Sequence, residues 1–146
     1  MIDSKWIGHE TPASVMSIER GRLRLFAKSI GETNAVYTDV AQALAAGYAD
    51  LPVPPTFLFG IELESGANDR LLGELGIPLA NLLHGEQRFT YHRTVCAGET
   101  VTVQSRVSDV YQKKNGALEF VVKSSRVTDE AGELVAEMQA VLVYRH

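Results

Sequence analysis

Pro54-Pro55-Thr56-Phe57-Leu58-Phe59-Gly60-Ile61-Glu62-Leu63 is apolar on nearly every side of a helical projection. Proline is favoured at the first position of a helix, so the stretch predicts a helix beginning at Pro55 or Thr56. A helix apolar all round has to be surrounded by protein. What surrounds it is written in the second half of the chain. Leu134, Ala136, Met138, Ala140, Leu142 and Tyr144 fall on one face, and Glu133, Glu137, Gln139 and Arg145 on the other. That period of two over 133–145 predicts a long strand. Val101, Val103, Val107 and Tyr111 alternate with polar residues in the same way, as do Leu118, Phe120 and Val122. The phase then shifts to Val127, which predicts a bulge near Ser124 and Ser125. Asn115-Gly116 is a two-residue hairpin signal, because both residues tolerate positive φ. Residues 129–132, Asp-Glu-Ala-Gly, make the next turn, and a further strand over 87–95 precedes the Ala97-Gly98 turn. The expectation is a meander of four long antiparallel strands.

The first half predicts helices. Ser17 is placed to cap one carrying Ile18, Leu25, Phe26 and Ile30 on one stripe, with Gly31 ending it. Asp39 and Gln42 form a capping-box pattern for a short helix over 40–46, stopped by Gly47. Residues 64–83 read as an irregular excursion or flap. Helices segregated from strands imply an α+β fold. One buried helix and one long sheet together predict a curved antiparallel sheet wrapped around a central helix, in a single domain over 1–146.

Composition narrows the function. The chain has 146 residues, 45% hydrophobic and 22% charged, with a formal net charge of −4. An acidic balance argues against bulk nucleic-acid binding, which needs a basic footprint. The single cysteine, Cys96, excludes an internal disulfide and a cysteine-based zinc cage. No run of residues has the length of a membrane span, and the opening ten residues lack the pattern of a signal peptide. A cytoplasmic protein is expected.

Several motifs follow one another in a telling order. They are Phe26-Ala27 with Ile30-Gly31-Glu32-Thr33-Asn34-Ala35-Val36-Tyr37 and Asp39; Gly47-Tyr48; Pro54-Pro55-Thr56-Phe57; and Leu83-His84-Gly85-Glu86-Gln87 with Phe89, Tyr91, His92 and Arg93. In this order they resemble the MaoC-like dehydratase family. The closest resemblance is to the branch found as the N-terminal domain of larger dehydratases, or as the non-catalytic subunit of two-subunit hydroxyacyl-ACP dehydratases. The resemblance implies a hot-dog fold, side-by-side pairing of two such domains, and acyl-thioester pockets at the pair's interface. Active members carry Gly-Asp-x-Asn-Pro-aliphatic-His, whose Asp and His work as base and acid. Here Glu32 stands at the Asp position and Tyr37 at the His position. A phenol titrates near pH 10 and is a poor base at neutral pH, although it donates hydrogen bonds.

The resemblance therefore makes Glu32 and Tyr37 the candidate catalytic positions. It makes Asn34, Pro55, Thr56, His84, Gly85 and Gln87 candidate substrate-binding residues. Asn34 also suits a loop-orienting role, and the Pro55 turn could face a thioester oxygen that gains charge. Arg88, Arg93, Lys113 and Lys114 are possible phosphate contacts, or simply solvated edges. No metal and no cofactor is expected beyond the pantetheine thioester of CoA or ACP as substrate. The partner expected is a second MaoC-like chain, in a homodimer or heterodimer.

The reading is a dehydratase or hydratase of the lyase class, an enoyl-CoA hydratase type of fatty acid metabolism, acting on or binding (3R)-hydroxyacyl or enoyl thioesters. It would serve as a subunit without the full Asp/His dyad, and whether it is an enzyme by itself is open. The alternatives are a non-catalytic acyl-thioester binding partner and a hot-dog thioesterase. A thioesterase would need a carboxylate on the central helix, where Glu62 and Glu64 fall late.

Overall fold

The computed structural model describes residues 2–145; Met1 and His146 lie outside the described residues. Its frame is one antiparallel sheet of five strands: β1 (Ser14–Ser17), β2 (Leu82–Tyr91), β3 (Thr100–Lys113), β4 (Leu118–Asp129) and β5 (Leu134–Arg145). The strand order is β1-β3-β4-β5-β2, so β1 and β2 are the edges. Four helices accompany it: α1 (Arg20–Ser29), α2 (Val40–Ala45), α3 (Phe59–Glu64) and α4 (Ala67–Glu74). Among the described residues no helix is long and apolar enough to cross a membrane.

The α+β expectation holds, and the sheet curls around α3. Leu58 is fully buried, and Phe57, Ile61 and Glu62 are nearly so. The regular helix is shorter than expected. Turns with i→i+3 hydrogen bonds, Phe57 N to Pro54 O and Phe59 N to Thr56 O, lead into it. It is also open on one side, because Leu63 is 52% exposed.

Other expectations are corrected. The sheet has five strands rather than four, since β1 is too short for a period to show in it. Ser17 ends β1, with its hydroxyl 3.2 Å from that of Thr100, and Glu19 occupies the N-cap of α1 without a side-chain hydrogen bond. Asp39 does cap α2, accepting from the Ala41 and Gln42 amides. The excursion over 64–83 contains α4, which buries Leu71 and Leu72.

The bulge expected at Ser124 and Ser125 does not occur. Instead Val121, Lys123, Ser125 and Val127 form one continuous inward row on β4. Two polar members of that row mimic a phase shift. The irregularities lie elsewhere, between Val107 and Asp109 of β3 and where β5 pairs with Val127 and Thr128. The hairpin at Asn115-Gly116 is present, with a loop of four residues, 114–117. Lys114, Asn115 and Gly116 all have positive φ there, and the ladder resumes at Lys113 opposite Leu118.

The strand expected over 87–95 starts at Leu82 and ends at Tyr91. Gly85 conceals its first half. The pairing of β2 with β5 slips between His84 and Glu86. A side chain at Gly85 would meet Val143 Cγ2 at 2.8 Å and the Val141 carbonyl oxygen at 3.2 Å. Only glycine lets the strand bulge this close to its neighbour.

Candidate functional site

The loop after α1 is tied by its own side chains. Gly31 takes the left-handed conformation at φ +71° and turns the chain out of the helix. The Glu32 amide bonds the Ala27 carbonyl, and the Glu32 carboxylate accepts from the Asn34 amide at 2.8 Å. Asn34 Oδ1 accepts in turn from Val36 N at 3.2 Å and caps a single 3-10 turn, Ala35–Tyr37. Asn34 therefore shapes the loop, as its loop-orienting reading requires.

That turn delivers Tyr37 half-buried beside Glu32, Tyr48 and Tyr91. Burial raises the Tyr37 phenol above the ordinary tyrosine range, and the neighbouring Tyr48 and Glu32 push it further the same way. Tyr91, near the end of β2, donates its hydroxyl to the Pro55 carbonyl. Its pKa is pushed up to about 12, by burial first and by Tyr37 second. Both phenols are neutral hydrogen-bond donors at physiological pH, and neither is a base.

The bulge at Gly85 then matters chemically. Without it His84 and Gln87 would face opposite sides of β2, because side chains alternate along a strand. With it, His84 packs edge-to-face on Phe59 of α3 at 5.1 Å, while Phe89 and Tyr91 stack at 6.1 Å, with Phe89 against the core around α3. Gln87 shares the phase of Phe89 and Tyr91. Its Oε1 is the one buried side-chain polar atom among the described residues without a hydrogen-bond partner. A buried acceptor left unpaired is destabilising by about 1–3 kcal/mol, so it marks a place where a donor belongs.

The structure thus sets Tyr37 beside Glu32 and Tyr91, and Tyr91 onto the Pro55 carbonyl. His84, Gly85 and Gln87 lie on β2, and Pro55 and Thr56 are exposed. Sequence reasoning gave Tyr91 no role. Its signal was weak, an aromatic in period with Phe89.

Three of the four basic candidates are engaged. Arg88 pairs with Glu86 at 2.8 Å, and Arg93 pairs with Glu99 at 2.7 Å and Asp129 at 2.8 Å. Lys113 lies over the rings of Tyr111 and Phe120.

Sequence reasoning also missed a buried polar cluster behind α3. Glu62 is 2% exposed and Lys123 1%. Glu62 Oε2 accepts from Lys123 Nζ at 2.7 Å, and Oε1 accepts from Ser125 Oγ at 2.7 Å and from Ser105 Oγ. Lys123 also donates to Asn68 Oδ1 of α4. Both carboxylate oxygens are engaged, so Glu62 is not free to act as a hydrolytic carboxylate. Glu64 is taken by Arg22 at the surface.

Residues 5–138 match the family model described as FAS1-like, dehydratase domain region. The chain belongs to this family. Two relatives of the FAS1-like dehydratase chain carry only the name UPF0336 protein. The one from Streptomyces avermitilis is 35% identical over 145 residues, covering 99% of this chain and 95% of that protein. The one from Parafrankia sp. is 37% identical over 148 residues, with the same coverage.

Among solved structures, a chain of the C-terminally truncated HadBC (3R-hydroxyacyl-ACP dehydratase) complex from Mycobacterium tuberculosis superposes with a TM-score of 0.82 at 22% identity. That match covers 98% of this chain and 99% of that one. A MaoC-like dehydratase superposes at 0.84 and 21% identity, over 96% of this chain and 42% of that one. The sheet curled around α3 is the hot-dog fold of the MaoC-like dehydratases.

The tyrosine pair is open to a direct test. The folded state holds the Tyr91 phenol neutral to about pH 12, whereas an unfolded tyrosine ionises near 10. A folded pKa above the unfolded one contributes stability that is complete below pH 10 and is lost as pH rises toward 12. Urea unfolding at pH 9 and pH 11.5 is expected to show this fall, and Tyr91→Phe is expected to lessen it. An equal fall in the variant would show that burial beside Tyr37 does not raise the Tyr91 phenol.

Proposed function

We propose that this chain is a MaoC-like subunit of a dehydratase or hydratase acting on (3R)-hydroxyacyl and enoyl thioesters of CoA or ACP. It binds the thioester and leaves the main acid–base work to a partner chain. The observation that carries this reading is Tyr37, a phenol held neutral where the family's histidine would stand. In the reversible reaction, water oxygen bonds to C3 of the enoyl group and a proton is delivered to C2, while the thioester oxygen carries charge in between. A base must take the proton from water near neutral pH, and an imidazole does so where a phenol with a raised pKa does not. Glu32 keeps a carboxylate at the Asp position, but here it also holds the Asn34 amide.

In this proposal Pro55 and Thr56 face the thioester oxygen. Gln87 Oε1 accepts from the ligand, and His84 lines the acyl or pantetheine path. No metal or redox cofactor takes part. The partner is a second MaoC-like chain, in a homodimer or heterodimer, and the site of action is the cytoplasm. Support for pairing comes from β2, an edge strand of ten residues with Leu83 55% exposed. A strand edge of that length is a template for pairing. Further support comes from structural neighbours that are complexes, HadBC and the ChsH1-ChsH2 complex, both from Mycobacterium tuberculosis. The (R)-hydratase of A. caviae, also a structural neighbour, supports the hydratase chemistry.

The test pairs a binding measurement with a rate. Crotonyl-CoA is expected to bind the purified chain in calorimetry, with hydration far below an ordinary enzyme turnover of ~10 s⁻¹. Turnover at that rate by the chain alone would overturn the non-catalytic assignment. No binding, alone or with a copurified MaoC-like partner, would overturn the thioester reading.

A further inference from the structure

The side of the sheet turned away from α3 carries a cavity that the thioester reading does not use. Phe89 of β2 packs against the core around α3, so its strand neighbours Arg88 and Thr90 face the other way. The register carries that outer face across four strands. Arg88 lies opposite Gln139 of β5, Gln139 opposite Ser124 of β4, and Ser124 opposite Arg106 of β3. In the adjacent row Thr90 pairs with Glu137, Glu137 with Arg126, and Arg126 with Gln104. These two rows line an open cavity of about 580 Å³, and Glu10, bridged to Arg106, flanks its β3 side. The volume lies in the range of small-molecule sites.

Two of the cations here are uncommitted. Among the described residues neither Arg106 nor Arg126 makes an ion pair or a side-chain hydrogen bond. Glu137, directly opposite Arg126, is taken by His92 Nε2 at 3.0 Å. Arg88, on the far side, pairs with Glu86 at 2.8 Å. Arg106 and Arg126 are diagonal neighbours on adjacent strands, about 7–8 Å apart, so two long guanidinium side chains can grip one anion between them. The other polar groups offer acceptors. Gln104 commits its Nε2 to the Thr11 carbonyl at 2.6 Å, which leaves Oε1. Ser124 donates its hydroxyl to Ser108 Oγ at 2.9 Å, which leaves its lone pairs. Ionised Glu10 and Glu137 only accept. No aromatic ring lines the cavity among the described residues, so it has no stacking surface for a nucleobase.

We infer that this cavity binds the phosphate ester of a small polyol. The phosphate lies between Arg106 and Arg126, and the hydroxyls donate to Gln104, Ser124 and Glu137. A bare phosphate would use the arginines but meet two carboxylates with no donor to offer them. A ligand carrying both a phosphate and hydroxyl groups matches both halves of the lining. The inference does not rest on the thioester reading, because the cavity lies on the face of β2 opposite to Gln87, Phe89 and Tyr91.

The test is calorimetric titration of the protein as assembled with glucose 6-phosphate, inorganic phosphate and glucose at low salt. Glucose 6-phosphate is expected to bind with a Kd of about 0.1–3 mM, the strength of a few exposed charge-assisted hydrogen bonds. It is expected to bind about fivefold or more tighter than either inorganic phosphate or glucose. Arg106→Gln and Arg126→Gln are each expected to weaken it by about fivefold or more. Lys114→Gln removes the same charge at the exposed hairpin tip and is expected to change it by less than about twofold. Both arginines are exposed, so their variants are expected to fold, which thermal unfolding checks. Saturating crotonyl-CoA is expected to leave glucose 6-phosphate binding unchanged. Failure of glucose 6-phosphate to bind, or equal losses in all three variants, overturns the inference. Inorganic phosphate bound as tightly as the ester overturns the polyol assignment, and glucose bound as tightly overturns the phosphate assignment. Competition from crotonyl-CoA would place the phosphates of CoA itself in the cavity and overturn the inference while supporting the thioester reading.

Discussion

Lys123→Met is expected to lower the unfolding free energy by about 3–5 kcal/mol, the usual consequence of removing one partner from a buried ion pair. The substitution leaves Glu62 charged, 2% exposed, and held only by the two serine hydroxyls at Oε1. It also strips Asn68 Oδ1 of its donor. For a chain of this size each kcal/mol shifts the melting temperature by about 2–4 °C, so a drop of about 6–20 °C is expected. Glu62→Leu combined with Lys123→Met tells whether the loss comes from the unpaired charge or from the volume. Paired apolar replacement of a buried ion pair is often neutral or stabilising, so the double variant is expected to recover most of the loss. Thermal and urea unfolding of the wild type, both single variants and the double variant complete the cycle. A single-variant loss below about 1 kcal/mol, or a double variant less stable than either single one, would contradict the description of the pair as buried and mutually dependent.

The same pair explains where the sequence could be read and where it could not. Strands β3 and β5 declare themselves because their inward residues are apolar for most of their length. On β4 the inward row contains Lys123 and Ser125, so the hydrophobic pattern jumps at the point where the buried charge sits. No local rule distinguishes a lysine whose partner is 61 residues away from one in solvent. Glu62 was misleading for the complementary reason, since a glutamate near the end of a helix ordinarily faces water. Strand β2 was hidden by a different device. The bulge at Gly85 breaks the period of two, so only the part beyond it looks like a strand, and the residues before it resemble a loop. The candidate site was more legible, because Glu32, Asn34 and Tyr37 lie within one short loop whose hydrogen bonds are local. The approach of Tyr91 to Pro55, across 36 residues, depends on the sheet having curled around α3.

Glu32→Asp with Tyr37→His is expected to raise crotonyl-CoA hydration by at least a hundredfold over the unmodified chain. The loop that carries both residues is set by Gly31, by Asn34 and by the turn Ala35–Tyr37. None of these is touched by the substitutions, although shortening Glu32 gives up its 2.8 Å contact with the Asn34 amide. Histidine at 37 supplies a group that ionises near pH 6.5 in place of a phenol raised above 10. A positioned acid or base commonly contributes 10²–10⁴-fold, which sets the size of the expected gain. Tyr37→His alone is expected to give part of it, and Glu32→Asp alone almost none, because the carboxylate without an imidazole has nothing to orient. The rate of the double variant should rise with pH through the imidazole pKa and then level, since the neutral ring is the base. If the double variant binds crotonyl-CoA as the wild type does and still does not turn it over, residues 32 and 37 are not the reacting positions. Tyr91, beside Tyr37, and the unpaired Oε1 of Gln87 then become the groups to examine for what the bound thioester touches.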